Sequence, residues 1–165
     1  MENRTNAKQD NVRLSSSFIV ELCKACLSNT KILDICSQYL KYHYLETQAQ
    51  KNIFKYIIDN YITTSQLCTI GVIAQTFSAD KEVLDFLSQV KALPNINKEN
   101  SEQLLQSLQD FIKHSKFVEV FNTTHTLYQE GKKEQAIAYM AKQSALVEQF
   151  SLKTTYYTTV FKDYL

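Results

Sequence analysis

Two glycines and one proline in 165 residues leave this chain with almost no turn chemistry. It has no Asn-Gly or Asp-Gly pair, the dipeptides that close tight hairpins, so a β-meander has little turn chemistry to use and an all-α fold is expected. Arginine is as scarce. Arg4 and Arg13 are the only two, both in a polar N-terminal segment, so the folded part has no guanidinium for bidentate phosphate recognition or an arginine finger. Residues 1–14 also lack the apolar stretch of a secretory signal and read as a mobile tail. No apolar run is long enough to span a bilayer, so no membrane association is expected. The formal net charge is only +1 and the lysines are dispersed, which leaves no electrostatic footprint for nucleic acid.

Chemistry-bearing residues are present but not assembled into a site. Cys23, Cys26, Cys36 and Cys68 fit a reduced, cytoplasmic interior. Cys23 and Cys26 form a CKAC within a predicted helix, with no second CxxC and no His pair. A zinc site would lack two ligands, with Cys36 and His43 available only by tertiary chance, and mid-helix cysteines three apart are poorly placed to bridge. His43, His114 and His125 are scattered, with no nucleophile and acid arranged around any of them. G-x-S-x-G is not possible with these glycines, and Gly131-Lys132 ends no phosphate loop because position 126 is Thr. Neither catalysis, a cofactor nor a metal is expected.

What is abundant is apolar residues at helical spacing: 44% of the chain is hydrophobic and 21% charged, the balance of a globular protein. A first helix is predicted from Ser17 to about Leu27, capped by Ser16 or Ser17, and a second from Asn29 or Thr30. YLKYHYL at 39–45 reads as an aromatic connection. Ala49, Ile53, Phe54, Ile57, Ile58 and Tyr61 then follow as the stripe of a central core helix. Short helices over Thr69–Phe77 and Asp80–Leu93 complete an N-terminal helical bundle over 15–94, which Pro94 ends.

Asn100, with Gln103 three residues on, has the form of a capping box opening a helix that runs to about Glu130. Leu104, Leu105, Leu108, Phe111 and Ile112 share one side of it, whereas Phe117, Phe121 and Tyr128 fall nearly opposite at 100° per residue. Gly131 suits a left-handed helix end, after which residues 132–150 form a second helix. The expectation is a long protruding αα-hairpin over 100–150, with Ala136, Ile137, Met140 and Val147 facing the first helix. Tyr139, Leu146 and Phe150 make a further stripe that a two-helix hairpin cannot also bury. That stripe either folds back on the bundle or meets another chain, and contact with another chain is the reading taken here.

Several strings in this order resemble the N-terminal domain of DnaB-type replicative helicases. SSFIVELCKACLSN looks like that family's opening helix, and YLETQAQKNIFKYIIDNY is similar to the segment after it. TIGVIAQTF with DKEVLDFLSQV looks like its pair of short helices, and FVEVFNTTHTLYQEGKKEQAIAYMAKQSALVEQF resembles its helical hairpin. The resemblance covers about Ser16 to Phe150. It implies a non-catalytic collar domain in DNA replication that self-associates as a dimer or hexamer through its hairpin. It also implies docking of primase or a helicase loader, with DNA met only indirectly through the parent protein. The family's ATPase domain is absent, and residues 151–165 read as the start of a linker to it. Interface residues implied by this reading are Phe117, Phe121, Tyr128, Tyr139, Leu146 and Phe150. The alternative is a stand-alone helical single-stranded nucleic-acid-binding protein that stacks bases on its tyrosines.

Overall fold

The computed structural model describes residues 12–146, which are all-α, with no strand among them. They fall into two compact units, one over 12–109 and one carrying 110–146.

The first unit opens at Leu14, which is buried and donates its N–H to the Tyr44 carbonyl at 2.9 Å. This bond holds the chain extended into α1 (Ser16–Cys26) and moves the cap to Ser15, one residue before the serines expected. The Ser15 hydroxyl accepts from Phe18 N–H. Asn29 caps α2 (Thr30–Tyr39), as its position predicted, by accepting from Ile32 N–H at 3.2 Å. The aromatic connection contains a 3-10 turn, Tyr42–Tyr44, and Tyr44 and Leu45 within it are core residues.

α3 (Gln48–Thr64) is the centre of this unit, with Ile53, Phe54 and Ile57 fully buried. Its start is a capping box that the sequence reading missed. Thr47 accepts from Gln50 N–H, and the Gln50 side chain accepts from the N–H groups of Glu46 and Thr47 at 2.9 and 3.0 Å. Those bonds explain how Gln50, a polar residue, lies in the core without an unpaired acceptor. The helix stops at Ser65, a non-glycine residue in the left-handed region at φ 56°. Tyr61 donates its hydroxyl to Asp34 at 2.7 Å, tying α3 to α2, and this bond raises the Tyr61 pKa.

α4 (Ile70–Thr76) and α5 (Lys81–Ala92) are capped by Thr69 and Asp80. Val83, Phe86, Leu87 and Val90 bury one side of α5, which packs on α1, α3 and α4, while α1 and α2 also pack on α3 and on each other. Leu93 is extended, as a residue before proline is driven to be.

α6 (Lys98–Gln129) begins earlier than expected. Asn97, not Asn100, is the cap: its side chain accepts from Asn100 N–H at 2.8 Å, and its carbonyl from Ser101 N–H at 3.0 Å. Both asparagines are competent caps, and the earlier one adds nearly a full turn of backbone hydrogen bonds. Leu104 and Leu108, near the start of α6, are buried and belong to the first unit.

Candidate functional site

α6 carries 32 residues, about 48 Å at the helical rise of 1.5 Å per residue. Leu104, Leu108 and Ile112 are buried along one side, as their spacing predicted. Phe117, Phe121 and Tyr128 are exposed at 63%, 62% and 53%. With His114 and His125, also exposed, they recur at i, i+3, i+7, i+11 and i+14. At 100° per residue these five positions fall within an arc of about 80°, the spacing of a seam that meets another helix. Phe121 and His125 stack within this line, rings 3° from parallel and centroids 6.4 Å apart.

Gly131 sits where the helix must stop. At φ +79° it is left-handed, its N–H reaches the Tyr128 carbonyl at 3.1 Å, and the Lys132 N–H reaches the Leu127 carbonyl at 3.0 Å. This pair of bonds is the Schellman motif, which satisfies carbonyls the ending helix leaves open and which glycine enters without a steric penalty. The next helix, α7 over 133–146, starts at once, with the Lys132 carbonyl taking the Ala136 N–H at 3.0 Å. Lys132 pairs with Glu130 at 2.7 Å, and the Lys133 ammonium lies 5.5 Å from the Tyr128 ring centroid. The short connection, with Val120 and Ala136 buried on either side of it, fits an antiparallel pairing of α6 with α7.

α7 is turned differently from the expectation. Ala136 is buried at 2% exposure, but Ile137 is 66% exposed and Met140 is exposed too, so two of the residues predicted to face α6 do not. Tyr139 and Gln143 are half-buried on the side of Ala136 instead. Of the other interface residues expected, Leu146 is exposed, and Phe150, like Val147, lies outside the described residues.

The second unit therefore exposes several large apolar side chains while burying polar atoms. The buried atoms Ser115 Oγ, Thr124 Oγ1 and Gln143 Oε1 have no hydrogen-bond partner among the described residues, a loss of about 1–3 kcal/mol for each such group left unpaired. Charge is distributed in a matching way. No Asp, Glu, Lys or Arg occurs from Val120 to Gln129 or over 135–141, whereas Glu130, Lys132, Lys133 and Glu134 gather at the turn between.

The four cysteines are all buried and free. Cys26 and Cys36 bring their sulfurs to 3.6 Å across α1 and α2, a proximity that their sequence spacing did not reveal. Burial and the nearby Cys36 push the Cys23 thiol up to about 12, and the contact with Cys36, then burial, raises Cys26 well above a free thiol. Thiols held protonated are poor nucleophiles and poor metal ligands. Among the described residues no three His, Cys, Asp or Glu side chains could hold one metal ion, and no helix is long and apolar enough to cross a membrane. The exposed line on α6 is thus the strongest candidate site. The histidines within it were missed as part of that line because they were weighed only as catalytic groups, although His125 stands one helical turn from Phe121. The chain matches no family model, no curated protein and no solved structure.

Proposed function

We propose that this chain is a non-catalytic assembly module, the N-terminal collar domain of a cytoplasmic replicative-helicase-like protein of the DnaB type. It self-associates through α6 and α7 and offers docking surface to a primase or loader, while DNA is met only through the parent protein. The observation that carries the reading is the exposed line of Phe117, Phe121 and Tyr128 on a helix whose opposite side is buried. Aromatic side chains left in water at helical spacing mark a surface that another helix covers.

A second copy of this chain is the occupant favoured by charge. Two identical faces that meet about a two-fold axis bring a charge against its own copy only near that axis, but an uncharged face meets no repulsion in any register, and residues 120–129 carry no formal charge with His neutral. A nucleic-acid ligand would need the reverse, a surface rich in cations. The test is sedimentation velocity of the intact chain over rising concentration, beside titration with a fluorescent oligonucleotide at low salt. The expected result is a mass climbing above 19.1 kDa and no oligonucleotide binding. A mass fixed at 19.1 kDa, with binding that weakens as salt rises, would replace this reading with the single-strand-binding one.

A further inference from the structure

We infer that His125 makes the self-association of this chain sensitive to acid, the paired form being lost when its imidazole is protonated. The inference rests on the pairing proposed above and concerns how it is regulated.

His125 lies in the exposed line, its ring stacked on Phe121 and three residues from Tyr128. A neutral imidazole is compatible with such an aromatic seam. An imidazolium needs water or a carboxylate, and removing a charge from water without a partner is costly. Among the described residues no carboxylate is placed to help. Residues 121–129, a full turn on each side of His125, contain no charged side chain. Glu119 is half-buried further back and within 3.8 Å of Lys116, and Glu130 is held by Lys132. On α7 the charged groups are Lys133, already over the Tyr128 ring, then Glu134 next to the turn and Lys142 further along. The side chain placed at the aromatic line from α7 is therefore a cation, which opposes a second positive charge nearby. His114 differs, because Asp110 stands one helical turn before it and can offset its charge. A two-fold pairing doubles the effect, since each copy contributes its own His125.

The sign follows from linkage. The separated chain can bind a proton on His125 and the paired form cannot, so pairing is complete above the titration range of imidazole and is lost as pH falls through it. With the imidazoles of both copies excluded from protonation in the pair, association weakens about 100-fold between about pH 7.5 and about pH 5.5, the pH span that brackets imidazole protonation in general.

Sedimentation velocity of the intact chain and of its His125→Gln variant at those two pH values tests this, with helical content read by circular dichroism. The inference expects wild-type pairing to weaken about 100-fold at the lower pH and the variant to pair equally at both. Wild-type pairing that is strong at both pH values overturns the inference and leaves the proposed function standing. A loss at low pH that His125→Gln shares, with or without unfolding, also overturns it. A wild-type chain that is monomeric throughout overturns the proposed function itself, and this inference with it.

Discussion

Replacing Phe117 and Phe121 together by lysine should leave the chain folded and reduce its mass in solution to that of one copy. Both side chains already stand in water, so their removal opens no cavity, and lysine is a good helix former. Folding should therefore change by less than about 0.5 kcal/mol. Association should suffer far more, because buried aromatic anchors carry a disproportionate share of interface energy. Each copy contributes both anchors, so four are lost; at about 1 kcal/mol each, pairing weakens roughly 1,000-fold, and lysine adds charge repulsion between the copies. Circular dichroism and sedimentation on the same samples separate the two effects. A double variant of unchanged mass would show that the exposed line on α6 is not the contact.

Phe54→Ala should produce the largest loss of stability of any truncation in α3. Phe54 is fully buried between Ile53 and Ile57 on the helix at the centre of the first unit. Truncation of a buried phenylalanine costs about 3–5 kcal/mol, combining lost transfer energy with the cavity left behind. Urea denaturation followed by circular dichroism measures it, with Ile62→Ala as the control, since Ile62 lies on the same helix but is 66% exposed. The control should shift stability by no more than about 0.5 kcal/mol. Equal effects from the two substitutions would mean that α3 does not form the core described.

The bundle was readable because most of the apolar residues of its helices gather on one side. Ile53, Phe54, Ile57 and Ile58 leave one possible inward face, and α5 does the same with Val83, Leu87 and Val90. Gly131 was readable for a different reason, since a lone glycine between two helical patterns has few uses other than ending the first. Helix starts were less so. Ser15, Ser16 and Ser17 are chemically equivalent caps, as are Asn97 and Asn100, and the choice was made by Leu14 bonding to Tyr44 and by the backbone bonds gained through an earlier start.

The orientation of α7 was not legible. Residues 135–141 read QAIAYMA and place apolar side chains around most of the helix, so periodicity cannot select an inward face. Tertiary packing selects it, burying Ala136 while Ala138 and Ala141, of the same size, stay exposed. On α6 the exposed line was visible from Phe117, Phe121 and Tyr128, but His114 and His125 were read as isolated groups. Their place became evident only when exposure and the Phe121–His125 stacking were known. The Cys26–Cys36 proximity depends on how α1 packs against α2, which neither helix encodes by itself.

The central claim is that a second copy of the chain covers the aromatic side of α6, and hydroxyl-radical footprinting of the intact chain at low and high concentration addresses it directly. Phe117, Phe121 and Tyr128 should lose reactivity together as the mass rises, while Tyr42, exposed in the first unit, stays equally reactive. A rise in mass with all three aromatic residues of α6 still fully oxidised would contradict the account.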